Sequence, residues 1–238
     1  MAVSIARHVL SVSEHKPTCR SLSMVVQNVT SWRREHLQWL NDEAFEVGFL
    51  QETHVPQQGL DAFKTQLAKA GFHAHVIPSG ASSVAHNSGG VAIVVRSHLN
   101  AQAGPRFSKA GCGYVSCMIR FRGGTCALFS VYLQSMIGVQ AEPNVTILAS
   151  LAGDLASLAC PWLVAGDWNS TPTEIEAAGL CRKLRATLVG GCSPTVDSGG
   201  ILDFGLASVK APCQLDYNHD LVAHALPSAR CCPPIPAG

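Results

Sequence analysis

The feature that most constrains the fold is a recurrence of short apolar, β-branched runs, each stopped by Gly, Pro, Asn or Ser. GGVAIVVRS (Gly89–Ser97) is the most strand-like. LSMVVQNV (Leu22–Val29), FEVGFLQET (Phe45–Thr53), PWLVAGD (Pro161–Asp167), ILDFGLAS (Ile201–Ser208) and DLVAHAL (Asp220–Leu226) repeat the pattern. YVSCMIRFRGGTCALFSVYL (Tyr114–Leu133) reads as a hairpin turning at Gly123-Gly124. Helical spacing falls between some of the runs. Leu37, Leu40 and Ala44 share a face after Trp32, with Ser31 as the expected cap. Phe63, Leu67 and Ala70 mark a helix over 61–70, ended by Gly71 as its C′ glycine. Ile147, Leu148, Leu151, Leu155 and Leu158 mark another over 144–159, and Thr173–Glu176 reads as a capping box. Strands and helices mix without strict alternation. That favours an α/β (α+β) chain in which sheets containing antiparallel pairs carry helices on their outer faces, in one domain.

A chain of 238 residues, 47% apolar and 14% charged, can bury one sizeable core. No apolar run approaches the ~20 residues that cross a bilayer, so no membrane partner is expected. The formal net charge of +1 announces no broad basic field of the kind that strong non-specific nucleic-acid binders carry. The chain has ten cysteines, mostly in apolar stretches, and no Cys-x-x-Cys or paired Cys/His spacing. Buried thiols are thus expected in place of a disulfide framework or a structural zinc. Residues 1–22 are expected to be a disordered extension, with a weak targeting leader as the alternative. Residues 228–238 are expected to be a disordered tail, leaving a domain over 23–227.

The polar residues that end these runs carry the functional signal. Asn28 closes one strand candidate, Glu52 a second, and Asp167 with Asn169 a third. Asp203 stands between Leu202 and Phe204, and His219 precedes the last run. Each has a plain structural reading: a turn amide, a helix-start charge, a cap. Asp203 is the hardest to explain that way, because a carboxylate in an apolar strand needs a partner to offset desolvation. Loops at strand ends are where rigid scaffolds present reactive groups. Asn28, Asn144 and Asn169 also sit in Asn-x-Ser/Thr sequons, read here as chance matches in an intracellular chain.

Taken in order, QNVTSW, LQETH, GGVAIVVR, VYLQS, AGDWNSTP, SPTVDSGGILDF and NHDLVAHAL resemble the motifs of the endonuclease/exonuclease/phosphatase superfamily, from about Met24 to Leu226. The QETH form followed by GGVAIVV is most similar to the branch found in non-LTR retrotransposons. The resemblance implies a four-layer sandwich: two packed mixed β-sheets flanked by helices, with the site at one end. It implies Glu52 as the main metal ligand, with Asn28 and Asn218 as further metal-site residues. Asp167 would activate water. His219, held by Asp203, would stabilise the transition state. Tyr132, Asn28 and Asn169 would contact the scissile phosphate. The implied cofactor is Mg²⁺ (or Mn²⁺), which prefers oxygen ligands and keeps several waters. Asn218 stands where the family usually has an aspartate, which predicts weaker metal affinity. Gln134 stands at a usual proline, and Trp168 at a usual phenylalanine.

The expected function is thus metal-dependent phosphodiester hydrolysis, with DNA as the first candidate partner, by a monomer that is intracellular and could be nuclear. Two alternatives stay open. One is a phosphatase or phosphodiesterase acting on a lipid, inositol phosphate or RNA. The other is a weakened mobile-element fragment that only binds.

Overall fold

The computed structural model describes residues 6–12, 22–81, 87–121, 124–189, 201–208 and 213–217. Its strands in the first half of the chain are β1 (Ala6–Val12), β2 (Leu22–Asn28), β3 (Val47–Gln51), β4 (Phe72–Ile77), β5 (Gly80–Ala81), β6 (Asn87–Ser88) and β7 (Val91–Arg96). The second half adds β8 (Gln102–Lys109), β9 (Cys112–Phe121), β10 (Gly124–Tyr132), β11 (Trp162–Asp167), β12 (Ala186–Val189), β13 (Asp203–Ser208) and β14 (Cys213–Tyr217). The α-helices are α1 (Arg34–Asp42), α2 (Leu60–Lys69), α3 (Asn144–Ser157), α4 (Pro172–Ala177) and α5 (Leu180–Leu184). No helix among the described residues is long and apolar enough to cross a membrane.

Two six-stranded sheets pack face to face, ordered β14-β1-β2-β3-β7-β4 and β12-β13-β11-β10-β9-β8. Each has one parallel pair at its centre, β2 with β3 and β10 with β11, and the other pairs are antiparallel. A parallel pair needs a crossover, and α1 and α3 supply the two. The carboxyl ends of the paired strands therefore emerge at one edge of each sheet.

Strand alternation sorts the side chains. Met24, Val26, Phe49 and Ile93 face Val115, Leu128 and Leu163 in the core between the sheets. Val25, Leu50, Ala92 and Val94 point the other way, onto Leu40, Phe63 and Leu67 of α1 and α2. On the far side, Phe129, Val131 and Tyr114 meet Ile147 and Leu151 of α3. The result is helix, sheet, sheet, helix: the four-layer α/β sandwich expected from the sequence.

The structure amends several local expectations. Helix α1 begins after Arg33, not Ser31. Ser31 is left-handed (φ 95°), and its N–H is drawn to Glu52 O at 2.7 Å. Arg33 N–H instead donates to His36 Nδ1 at 3.0 Å. The capping box of α4 starts at Thr171 and not Thr173. Glu174 N–H donates to Thr171 Oγ1 (3.3 Å), and Thr171 N–H donates to Glu174 Oε2 (2.7 Å). Pro172 decides between the two overlapping patterns, since a residue without an N–H is favoured at the first helical position. Gly71, at φ 80°, does end α2. Residues 6–12, inside the expected extension, form β1 between β2 and β14. The free antiparallel edge of β2 gives this apolar segment its hydrogen-bond partners. The run DLVAHAL lies outside the described residues, as do residues 228–238.

Candidate active site

The site forms where the carboxyl ends of the two central parallel pairs meet across the sandwich. Asn28 ends β2, Glu52 follows β3, Tyr132 ends β10 and Asp167 ends β11. Tyr132 and Asp167 are also register partners in the second sheet. Gly166 makes this pairing possible, because a Cβ there would lie 2.0 Å from Val131 O. Only a glycine lets β11 lie this close to β10 immediately before its terminal carboxylate.

Three hydrogen bonds between polar side chains bridge the sheets here. Tyr132 Oη donates to Glu52 Oε1 at 2.8 Å. Asn28 Nδ2 donates to Asp167 Oδ2 at 3.0 Å. Beneath them, fully buried Gln51 donates through Nε2 to Ser130 Oγ at 2.9 Å. Asp167 Oδ1 accepts the Asn169 backbone N–H at 2.9 Å, and Asn169 Nδ2 donates to Leu133 O at 2.8 Å. Both carboxylates are thus aimed by donors from separate strands.

The backbone around the site is unusual. Glu52 (φ 51°), His54 (φ 52°) and Asn169 (φ 44°) are all left-handed without being glycine. Such residues cost of order 1 kcal/mol or more each and persist only where their surroundings fix them. Here Thr53 N–H donates to Gly90 O (3.2 Å) and His54 N–H to Gly89 O (3.0 Å). Gly90 is itself left-handed (φ 91°), and a Cβ on it would meet Thr53 Oγ1 at 2.5 Å. The Gly-Gly before β7 is therefore a cradle for the strand end that carries Glu52.

Burial dominates the electrostatics. It pushes the Asp167 carboxyl up to about 6. The Asn169 N–H and the Asn28 amide pull it back, and the charge of Glu52 adds to the rise. Burial, with Glu52 next in order, holds the Tyr132 hydroxyl far above its ordinary range, so it is a neutral donor. The nearby Cys112 thiol is pushed up to about 11, by burial first and then by Glu52 and Asp167.

The structure thus brings together Asn28, Glu52, Tyr132, Asp167 and Asn169. Asp203, the first residue of β13, is the Cα register partner of Asp167 and sits at the same edge. His219 and Asn218 lie outside the described residues. Asn28 Oδ1 already accepts Thr30 N–H at 3.1 Å and Thr30 Oγ1 at 3.3 Å, so both ends of this amide are engaged. In the structure it is an orienting donor to Asp167. Reasoning from sequence also missed Gln51, Ser130 and His54, whose Nε2 lies 3.9 Å from Glu52 Oε2. A buried Gln and Ser inside apolar runs were the available signal. Asn144, read as a helix start and a sequon, is fully buried. It anchors the loop after β10 by accepting Gln134 N–H (2.8 Å) and donating to Gln134 O (2.9 Å) and Gly138 O (3.0 Å). Gln134, at the usual proline position, is held by these bonds.

The donor set suits a hard divalent cation. Glu52 and Asp167 stand at strand ends of the two facing sheets, and the charge of Glu52 raises the proton affinity of Asp167. A cation relieves that repulsion. Among the described residues no group of three or more His, Cys, Asp or Glu side chains converges on a metal position, and Glu52 and Asp167 are carboxylates that those residues bring to this end of the sandwich. One or two carboxylates with remaining positions for water is the arrangement Mg²⁺ accepts.

Residues 26–223 match the model of the Endonuclease/Exonuclease/phosphatase family. Similar solved structures include an AP endonuclease from Leishmania major, with a TM-score of 0.61 and 14% identity over 79% of each chain. The endonuclease domain of TRAS1, a telomere-specific non-LTR retrotransposon, aligns with a TM-score of 0.54 and 15% identity, over 77% of this chain and 82% of that one. The 3′ phosphatase NExo from Neisseria, bound to a product DNA hairpin, aligns with a TM-score of 0.51 and 15% identity, over 76% and 84%. No curated protein sequence matches the chain.

Proposed function

The chain belongs to the endonuclease/exonuclease/phosphatase family, and from that premise we propose that it is a metal-dependent phosphodiesterase, a DNA endonuclease in the first instance. One observation carries the reading: the cross-sheet pairing of Glu52 with Tyr132 and of Asp167 with Asn28 at the carboxyl ends of the two parallel pairs. Two of the similar structures are named as endonucleases and a third holds a DNA product, which supports DNA as the substrate.

Glu52 is the proposed principal ligand for Mg²⁺ or Mn²⁺, with Asn218 as a second oxygen donor. An ion held there would supply charge neutralisation at the phosphate and at the leaving oxygen. Asp167 takes the proton of the attacking water. A carboxyl near 6 is largely ionised at neutral pH, yet basic enough to accept that proton. Asn28 and the Asn169 N–H fix the direction of its lone pairs. Tyr132 stays protonated, and with substrate bound its one O–H would leave Glu52 and donate to a phosphoryl oxygen. His219, oriented by Asp203, stabilises the charge that develops on the phosphate, the kind of contribution usually worth several kcal/mol. The protein is proposed to act as an intracellular monomer.

Purified protein should nick supercoiled plasmid in Mg²⁺ and stop on addition of chelator. Equal nicking by a double variant, Asp167→Ala with His219→Ala, would overturn the assignment. Parallel assays on abasic duplex, plain duplex and small phosphoesters identify the substrate. Preference for a lipid or inositol phosphate would move the activity to the other arm of the family.

A further inference from the structure

The loop that leaves the site after Tyr132 presents one apolar side chain to solvent. Met136 is 99% exposed. Among the described residues Val145, at 37%, is the other large hydrophobic classed as exposed. Single exposed apolar side chains are common, but this one is presented by a built support. Met136 is left-handed (φ 65°), a conformation non-glycine residues rarely take. The other left-handed position of the same loop, Gly138 (φ 73°), is a glycine. A glycine at 136 would relieve both the backbone and the exposed thioether, yet the chain carries methionine. The loop is also pinned at both ends. Leu133 N–H donates to Asp167 O at 3.1 Å and Leu133 O accepts the Asn169 amide. Buried Asn144 closes the other end with its bonds to Gln134 and Gly138.

Position and charge narrow what Met136 meets. Four residues of extended chain reach at most about 14 Å from Tyr132. That is about four steps of 3.4 Å along a nucleic-acid strand. Residues 134–141, QSMIGVQA, hold no Lys or Arg, so the loop offers no basic group to a phosphate or to an anionic lipid surface. A nucleobase is the part of a nucleic acid that an uncharged side chain can contact, by packing on its face or entering a base step. We propose that Met136 is a nucleobase-contacting wedge that positions the strand whose phosphodiester lies between Glu52 and Asp167. This rests on the phosphodiesterase reading above.

The test compares kcat/KM on a duplex oligonucleotide with kcat/KM on bis(p-nitrophenyl) phosphate, which has no base. In Met136→Ser the ratio of duplex to small ester should fall about tenfold, the order that burying one methionine supports. Met136→Phe should restore the ratio. Misfolding lowers both activities together and leaves the ratio where it was, so the ratio isolates the base contact. A ratio within twofold of wild type in folded Met136→Ser, with wild type cutting both substrates, overturns the wedge alone. A wild type that hydrolyses the small ester but not the duplex overturns the nucleic-acid reading with it. Vesicles of phosphatidylserine that bind wild type and not Met136→Ser would assign the contact to lipid and overturn the proposal.

Discussion

Asp167 is the proposed proton acceptor of the site, and its titration is measurable without substrate. Its folded value near 6 stands above the ordinary 3.8. Between those values the folded chain holds a proton that the unfolded chain has lost. Its contribution to stability therefore falls as pH rises through that window and is level above it. With metal chelated, the stability of Asp167→Asn relative to wild type should rise by about 2 kcal/mol between pH 4.5 and 7.5. Urea unfolding at the two pH values measures this, and an unchanged difference would remove the buried-charge account. Tyr132→Phe removes the hydroxyl bonded to Glu52 and should lower kcat about a hundredfold with little change in Tm, as read by steady-state kinetics beside a melt. Much of this site was legible at the residue scale, because carboxylates and amides that end apolar runs have no packing reason to be there. Gln51 and Ser130 were not. Their partnership spans 79 residues of chain, and nothing local announces it.

Elements divide by where they lie in the sheets. The central strands β2, β3, β7, β10 and β11 were readable, since burial on both faces writes them as continuous apolar runs. Strands β4, β8 and β12 are edges and were not anticipated. Strand β8 is mostly exposed and contains Pro105, which only an edge tolerates. Its pairing slips between Ala103 and Arg106. Turn chemistry was legible in kind but not in register, as the overlapping boxes at Thr171 and Thr173 show. Thr171→Ala should cost about 1 kcal/mol and Thr173→Ala close to none, a comparison that denaturant titration settles. Gly166→Ala places a methyl against Val131 O between β10 and β11 and should cost about 3 kcal/mol or more.

At the scale of the molecule, the site exists because two sheets are held in one relative position. The bridges that hold its end join residues 139, 80 and 79 apart in sequence. Their order along the chain could be read, but their convergence is a property of the packed sandwich. A cation bound between the sheets stabilises the folded chain by mass action. Millimolar Mg²⁺ should therefore raise Tm in wild type and leave Glu52→Gln unmoved in a thermal melt. The central claim is that Glu52 and Asp167 form one metal-assisted hydrolytic centre. Its most direct test is the single-turnover rate of phosphodiester cleavage on a DNA duplex, for wild type, Glu52→Gln and Asp167→Asn at equal protein concentration. The account predicts Mg²⁺-dependent cleavage by wild type, stopped by chelator, and rates at least about a hundredfold lower in each variant. Cleavage that survives chelation, or that proceeds equally in Asp167→Asn, would contradict it.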